Sequence, residues 1–188
     1  MRKAREEWSE KSKSWQIERL VFIDESGAKT NMTRLRGRAM RGARARDCAP
    51  HGHWCVRTMI SSIRADGSTA CMSIDSATDG EVFLAYVVSV LVPTLRQGDI
   101  VVLDNLGAHK NAAVETAIRA AGATVEYLPA YSPDLNPIEK MWSKIKALLR
   151  ALKARTSRAL NAAIRRAFHS VTPDDALSWF ASCGYTLT

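Results

Sequence analysis

Three acidic residues could bring carboxylates together for chemistry, and two of them follow apolar runs. Asp24 comes directly after "LVFI", and Asp104 comes directly after "IVVL". Each run is long enough for a buried strand, and functional groups gather at the carboxyl ends of strands in α/β sheets. Because side chains alternate along a strand, either Asp24 or Glu25 must point away from such a site. The pattern predicts two carboxylates at one sheet edge; for each, an acid that only begins a turn is the alternative.

The third acid, Glu139, lies in the stretch "LPAYSPDLNPIEKMWSKIK", residues 128–146. Asn136 is a favoured N-cap and Pro137 fits the first helical position, so Glu139 falls at N3 and capping alone explains it. An apolar face at helical spacing borders Glu139, formed by Ile138, Met141, Trp142, Ile145, Leu149 and Leu152. Polar and basic residues continue its own line, namely Ser143, Lys146, Arg150 and Lys153. The local pattern leaves two roles open, a helix cap and a carboxylate aimed at a metal beside a nucleic-acid backbone.

Three clustered carboxylates suit the cleavage of phosphodiester bonds. Such a cluster is self-repelling unless a cation lies within it. Oxygen-only ligands favour Mg²⁺ or Mn²⁺ over zinc. Two such ions, about 3.5–4 Å apart, can activate the attacking oxygen and stabilise the leaving oxygen. The three acids are therefore candidate ligands of a two-metal site.

A sheet and helices must position these acids, and the order of apolar segments predicts both. After "RLVFIDES" come two strands around the Asp66-Gly67 turn, a strong hairpin signal. Thr78 and Glu81 form a predicted capping box before the helical run "VFLAYVVSVLVPTL". A strand ("DIVVLDN"), a short helix ("NAAVETAIRAAG"), another strand ("TVEYLPAY") and further helices follow. This order predicts an α/β fold, a mixed five-stranded sheet with helices on its faces.

The charge of the chain favours a polyanionic partner. Its 188 residues fit one domain of ordinary size, with a formal net charge of +8. One basic cluster contains no acid and consists of Arg34, Arg36, Arg38, Arg41, Arg44 and Arg46. A second acid-free tract runs from Lys140 to Arg166. Ordinary solvated surfaces mix the two signs, so we interpret these tracts as phosphate-contacting surfaces, with a merely soluble arginine loop as the alternative.

The cysteines and apolar segments indicate the compartment. Four cysteines show no paired framework, and no apolar signal segment begins the chain. No apolar run approaches the roughly 20 residues that span a bilayer. We therefore expect a protein of the reducing cytoplasm with free thiols and no membrane segment. The stretch "CAPHGHWC", residues 48–55, invites a zinc interpretation, but its spacing matches no common zinc finger.

Four motifs together resemble the catalytic domain of a DDE transposase, namely "DESGAKTNMTRLRGRA", "APHGHW", "LDNLGAHK" and "LPAYSPDLNPIEKMWSKIKALLR". Within that family the chain is most similar to the bacterial insertion-sequence branch of the mariner superfamily. The family pattern has 34 residues between its second Asp and its Glu, and 34 residues also separate Asp104 from Glu139. The resemblance covers nearly all of residues 18–188. It implies that Asp24, Asp104 and Glu139 are the catalytic, metal-binding triad.

The resemblance also implies a fold and an activity. The expected fold is ribonuclease H-like, in agreement with the predicted order of elements. The expected enzyme is a Mg²⁺-dependent DNA endonuclease and polynucleotidyl transferase, with two ions per site and Mn²⁺ as a substitute. It would cut double-stranded DNA at transposon ends and join the freed 3′-hydroxyl to target DNA, typically at TA dinucleotides. Transposases of this kind usually act as homodimers that synapse two ends.

The N-terminal segment departs from the family pattern. Residues 1–17 are charged and of mixed sign, and we expect them to be an exposed extension or linker before a catalytic domain at residues 18–188. Family members normally carry N-terminal helix-turn-helix regions that recognise the terminal repeats, and such a short segment cannot hold them. The expectation is either an isolated catalytic fragment or one half of a split frame, with a separate helix-turn-helix subunit upstream.

Candidate DNA contacts come from the basic tracts and from the segment after Asp104. They are Arg34, Arg36, Arg38, Arg41, His109, Lys110, Lys146 and Arg150. His109 could orient a phosphate or a water, or could serve only the start of a helix. Asp134 is interpreted as a turn acid, and Trp142 and Trp179 as core residues. Two alternative functions stay open, a non-catalytic DNA-binding transposase relic and another ribonuclease H-like nuclease.

Overall fold

Five strands form one mixed sheet in a computed structural model that describes residues 2–105 and 111–186. The strands are β1 (Leu20–Lys29), β2 (Val56–Ile63), β3 (Thr69–Ile74), β4 (Ile100–Leu103) and β5 (Thr124–Tyr127). Their order across the sheet is β3-β2-β1-β4-β5. The first three are antiparallel neighbours, whereas β4 runs parallel to both β1 and β5. The prediction of a mixed five-stranded sheet is confirmed.

The hairpin between β2 and β3 turns at the predicted Asp66-Gly67 pair. Gly67 has φ +82°, a left-handed conformation that glycine adopts without steric cost. Asp66 Oδ1 accepts a hydrogen bond from the backbone N–H of Ser68 at 2.8 Å. These local preferences set the register of the two strands, in which Ile63 pairs with Thr69.

Helices cover both faces of the sheet. They are α1 (Arg2–Ser12), α2 (Gly80–Tyr86), α3 (Ala112–Ala120), α4 (Pro137–Leu152), α5 (Ser157–Phe168) and α6 (Pro173–Ser182). Alternation along the strands divides the core. Phe22 and Val102 pack with α4, α5 and α6 on one face, and Val21 and Val101 pack with α2 and α3 on the other. None of the described helices has the length and apolar character needed to cross a membrane.

The start of α2 differs from the prediction by one residue. A capping box of Thr78 and Glu81 was expected, but Asp79 is the N-cap and its Oδ1 accepts from the backbone N–H of Val82 at 2.9 Å. Asp and Thr are both good caps, and the sequence placed them side by side, so propensity alone could not choose between them. The helix continues into a π-helical turn, Val87–Leu91, and ends in a 3₁₀ turn that contains Pro93.

The N-terminal segment is a helix fastened to the rest of the fold. Most of α1 is exposed, but Trp8 is buried and its Nε1 donates to the hydroxyl of Tyr185 at 3.0 Å. The Tyr185 hydroxyl in turn donates to the carbonyl oxygen of Leu135 at 2.9 Å. A loose exposed extension would not bury a tryptophan, so α1 contributes to the core on the α4 side of the sheet.

Candidate active site

Asp24 and Asp104 lie level with each other at the carboxyl edge of the parallel part of the sheet. Phe22 of β1 pairs with Val102 of β4, and each aspartate stands two residues further along the chain, Asp104 directly after β4. The prediction that Asp24 ends its strand is wrong, because β1 continues to Lys29 in antiparallel pairing with β2. Adjacent strands are about 4.8 Å apart, so the two carboxylates are neighbours. They share the sheet face that α4 covers, because side chains two residues apart point the same way. Alternation places Glu25 on the opposite face of β1.

Glu139 reaches the same edge from the first turn of α4. Pro137 begins that helix, and Ile138 and Met141 are fully buried against the sheet. Their burial fixes the rotation of α4 and leaves Glu139 exposed at its start. An amphipathic helix thus aims its N-terminal carboxylate by burying its apolar face.

Trp142 ties α4 to the first aspartate. Its Nε1 donates to Asp24 Oδ2 at 3.2 Å, and the ring is only 2% exposed. The indole also packs edge to face on Phe168, with ring centroids 5.9 Å apart. The core interpretation of Trp142 agrees with this burial, but the hydrogen bond to Asp24 was missed. Its three-residue spacing from Glu139, which puts both side chains on one helix face, was the available signal.

All three acids line one cavity of about 310 Å³. Its other walls come from Asn105 and from the β5–α4 loop, namely Leu128, Pro129, Ala130, Tyr131, Ser132, Pro133 and Asn136. Within residues 2–105 and 111–186, no three His, Cys, Asp or Glu side chains converge closely enough to hold a metal ion as they stand. The three acids therefore line one cavity, but within the described residues they do not converge into a metal-binding group as they stand.

The same finding bears on the zinc interpretation of residues 48–55. Cys48 and Cys55 are exposed free thiols, and His51 and His53 are exposed in the same loop. These four side chains form no metal-binding cluster within the part of the chain that the structure describes. The zinc alternative is therefore not supported.

Electrostatics at the cavity favour a cation. Burial, as the largest cause, and repulsion from Glu139 and Asp104 together raise the pKa of Asp24 to about 7. Hydrogen bonds from the backbone N–H of Glu25 and from Trp142 act in the opposite direction. A divalent cation near the three carboxylates would remove the repulsion, so the donor set and its electrostatics fit such an ion.

Asp24→Asn is expected to stabilise the protein in EDTA at neutral pH and above. The pKa of Asp24 is 3.8 when exposed and about 7 in the fold, so the folded state alone holds the proton between these values. Stability from this group is complete below pH 4 and is lost as the pH rises through 7. Asn cannot ionise, so the variant should gain roughly 1–3 kcal/mol at pH 8 and little at pH 4. Urea denaturation at pH 4, 6 and 8 measures this; a gain independent of pH would contradict it.

The loop before α4 is held from outside the cavity by α1. Arg5 donates to Asp134 Oδ1 at 3.0 Å and to Ser132 Oγ at 2.9 Å. The hydrogen bond from Arg5 lowers the pKa of Asp134. Asp134 is not among the described residues that line the cavity. Its position supports the prediction of a turn acid, with the added role of fastening the loop to α1.

Asn136 occupies the predicted N-cap position of α4, but the predicted capping bond is wrong. Its side chain accepts no hydrogen bond from the first turn of the helix. The backbone provides the connection instead, because the carbonyl oxygen of Asn136 accepts from the N–H of Glu139 at 3.2 Å. Asn136 is 4% exposed and lines the cavity.

The arginine cluster lies in a long exposed loop between β1 and β2. Arg34, Arg36, Arg38 and Arg41 are all exposed there. Arg155 anchors the base of this loop by donating to the carbonyl oxygen of Thr30 at 2.8 Å and to that of Met32 at 2.9 Å. The guanidinium groups are therefore presented to solvent on a segment that is fixed near its base.

Lys146 and Arg150 follow Glu139 along α4. At 1.5 Å per residue they lie about 10 Å and about 16 Å from it along the helix axis, within about 20° of its direction. Both side chains are half-buried. His109 and Lys110, the remaining candidate DNA contacts, lie outside the described residues.

The sheet and the position of its acids define the class of protein. A mixed five-stranded sheet with helices on both faces, and acids just beyond the parallel pairing of two adjacent strands and on the neighbouring helix, is a ribonuclease H-like domain. The chain belongs to the family described as DDE superfamily endonuclease, which matches residues 19–161.

Solved structures of a mariner transposase have the same fold. The Mos1 strand transfer complex has a TM-score of 0.74 and 16% identity, over 96% of this chain and 56% of that one. The Mos1 mariner paired end complex with Mn has a TM-score of 0.75 and 15% identity, with the same coverage of 96% and 56%. The Mos1 transposase catalytic domain with raltegravir and Mg has a TM-score of 0.67 and 13% identity, over 96% and 86%.

These comparisons also show how much of a transposase the chain covers. It spans little more than half the length of the transposase chains in the two DNA complexes. No curated protein matches the chain. At these identities the solved structures establish the shared fold, and the matched family establishes membership of the endonuclease superfamily.

Proposed function

We propose that this chain is the catalytic domain of a transposase, which cuts DNA at transposon ends and transfers the freed strand to target DNA. The observation that carries the proposal is the cavity that Asp24, Asp104 and Glu139 line together. The acids come from two adjacent strands and one helix, and family membership gives the endonuclease class. The similar Mos1 structures are a strand transfer complex and a paired end complex, which supports a DNA substrate.

The proposed metal ligands are Asp24, Asp104 and Glu139, with two Mg²⁺ ions as cofactor and Mn²⁺ as a substitute. Mos1 structures with Mn and with Mg support a divalent cation. When bound, such ions neutralise charge that develops on the phosphate and on the attacking and leaving oxygens. The donor set fits them, because it consists of carboxylate oxygens, and Glu139 and Asp104 already raise the pKa of Asp24 by repulsion that a cation would relieve.

The protein itself contributes position and protonation. The Trp142 N–H holds Asp24 Oδ2 in place, and the buried face of α4 sets the direction of Glu139. The raised pKa of Asp24 means that it retains a proton near neutral pH without a cation. Binding of a cation would therefore displace a proton from Asp24, and cation affinity would then depend on pH.

We propose double-stranded DNA as the partner, both as transposon ends and as target. Exposed Arg34, Arg36, Arg38 and Arg41 and the α4 residues Lys146 and Arg150 would contact phosphates. A homodimer in synapsis, a preference for TA targets and a separate helix-turn-helix subunit belong to the same proposal. In it, residues 18–188 are the catalytic unit, and residues 1–17 precede that unit with α1 fastened to it.

Replacing Arg34, Arg36 and Arg38 by Gln is expected to weaken DNA binding and its salt dependence. If each arginine neutralises one phosphate, the slope of log K against log salt should fall in magnitude by about 2.7. Fluorescence anisotropy on a duplex at several KCl concentrations measures the slope. As a matched control, the same substitutions at Arg2 and Lys3 on α1 and at Lys13 directly after it remove the same charge from residues that each pair with a glutamate. Equal slopes for both triple variants would show that the three loop arginines do not contact DNA phosphates.

The experiment that tests the proposed function compares substrates. Purified protein with Mg²⁺ is offered a duplex carrying transposon-end sequence, an RNA–DNA hybrid and a four-way junction. Nicking of the duplex, followed by joining of its 3′ end to a second duplex, is the expected result. Preferential cleavage of the hybrid or the junction would favour another ribonuclease H-like nuclease. Absence of both cleavage and Mn²⁺ binding would favour a non-catalytic relic.

A further inference from the structure

Asn136 combines features that neither helix capping nor core packing explains. Its side chain is 96% removed from solvent, since only 4% is exposed. Among the described residues, its carbonyl oxygen Oδ1 is buried without a hydrogen-bond partner. Such an atom destabilises the fold, and in native proteins it calls for a specific explanation. Asn136 therefore has a destabilising buried oxygen, and the residue itself lines the cavity that the three acids share.

Helix capping does not require this side chain. The backbone N–H of Asn136 donates to the carbonyl oxygen of Pro133 at 3.1 Å, and its own carbonyl accepts from Glu139. Its dihedral angles, φ −110° and ψ 101°, lie in the extended region that any residue adopts. An apolar residue of similar size could therefore occupy this position with the same backbone bonds. What the asparagine adds is the amide.

The residues around the Asn136 amide indicate what kind of group its oxygen could bind. Asp24, Asp104 and Glu139 line the same cavity, and once Asp24 has lost its proton all three carboxylates can only accept hydrogen bonds. An amide oxygen beside three carboxylates gains most from a cation. Asparagine carbonyl oxygens are established ligands of hard divalent cations, and they add no charge to a site that already repels itself.

We propose that Asn136 supplies a neutral oxygen ligand to the divalent cation of this site, beside the three carboxylates; this rests on the proposed function. The amide then explains why the N-cap side chain leaves the helix uncapped. It also places a ligand three residues before Glu139, so the start of α4 provides both a carboxylate and an amide to the cation.

The Asn136→Leu variant distinguishes a role of Asn136 as a metal ligand from a purely structural role. The variant removes the buried oxygen and keeps the branched shape and the number of heavy atoms, so its Tm in EDTA should equal or exceed that of the wild type. Mn²⁺ affinity, measured by electron paramagnetic resonance without DNA, should nonetheless fall by about tenfold or more. Stability and cation affinity thus move in opposite directions. A folded Asn136→Leu protein with wild-type Mn²⁺ affinity overturns the proposal.

Asn161→Leu is the matched control. Asn161 Oδ1 is likewise buried without a partner among the described residues, but it lies on α5 beside a different cavity lined by Cys71 and His169. The same chemical change there should leave Mn²⁺ affinity unaltered. An equal loss of affinity in both variants would show a general effect on folding and would overturn the role of Asn136.

Asn136→Asp provides the second variant if Asn136→Leu does not fold. A fourth carboxylate should lower the Tm in EDTA and tighten Mn²⁺ binding, and no gain in affinity would contradict the proposal. Glu139→Gln serves as the reference for the proposed function. Loss of Mn²⁺ binding in Glu139→Gln but not in Asn136→Leu would overturn the role of Asn136 alone. A wild-type protein that binds no Mn²⁺ would contradict both proposals.

Discussion

Glu139→Gln is expected to abolish metal-dependent nicking of duplex DNA while the protein stays folded. The change removes one negative charge from the proposed metal site and keeps the size of the side chain. Transition-state stabilisation by bound metal is worth several kcal/mol, and a loss of about 4 kcal/mol corresponds to a rate on the order of 10³-fold lower. Glu139 is exposed, so the free energy of unfolding should change little. Single-turnover nicking of a labelled duplex with saturating Mg²⁺ measures the effect.

Asp174→Asn provides the control for that experiment. Asp174 is also an exposed carboxylate in the first turn of a helix, α6, but it is not among the described residues that line the cavity. Loss of this charge should leave the nicking rate within a few-fold of wild type. Unchanged nicking by Glu139→Gln would show that Glu139 has no catalytic role and only contributes to the start of α4. Comparable losses of nicking in both variants would indicate a general effect of charge.

Asp99→Ala is expected to destabilise the fold by about 3–5 kcal/mol. Asp99 is fully buried and forms an ion pair with Arg64, which is only 5% exposed, at 2.5 Å. Asp99 Oδ2 also accepts from the backbone N–H of Arg96 at 2.6 Å. Removing the carboxylate leaves the Arg64 charge buried without its counter-ion, and that loss is far more costly than the pair itself is stabilising. Equilibrium urea denaturation measures the change.

Two further variants test whether the lost stability comes from the unpaired Arg64 charge. The double variant Arg64→Met, Asp99→Leu removes both charges and should recover most of the lost stability, because apolar residues can replace a buried pair. Glu6→Gln breaks the exposed pair between Arg2 and Glu6 on α1 and should change the stability by less than about 0.5 kcal/mol. If Asp99→Ala and Glu6→Gln had similar small effects, the Arg64–Asp99 pair would not be a buried structural element.

The positions of Asp24 and Asp104 could be predicted because they depend on local pattern. Each acid follows a run of apolar residues that forms buried strand, and the parallel pairing of β1 with β4 brings the ends of these two runs to the same edge. The continuation of β1 to Lys29 was not predicted, because it depends on pairing with β2. The choice between Asp24 and Glu25 could not be made from the pattern. It depends on which face of β1 receives α4, and residues far along the chain decide that.

Contacts between side chains that are far apart in the sequence could not be predicted from it. The hydrogen bond from Trp142 to Asp24 joins residues 118 positions apart, and the bonds from Arg5 to Asp134 join residues 129 apart. No local periodicity carries such information, so α1 was expected to be exposed although it buries Trp8. The failed capping prediction at Asn136 has a different cause. Propensity describes what an isolated helix prefers, whereas a functional site can use the same side chain otherwise.

The most direct test of the central claim is an anomalous difference map from crystals soaked in Mn²⁺. Mn²⁺ peaks are expected within ligand distance of Asp24, Asp104 and Glu139, in the cavity just beyond the parallel pairing of β1 with β4. Those peaks should be lost from crystals of Glu139→Gln or strongly reduced. Ordered Mn²⁺ elsewhere on the protein, with none at the three carboxylates, would contradict the assignment of this cavity as the active site.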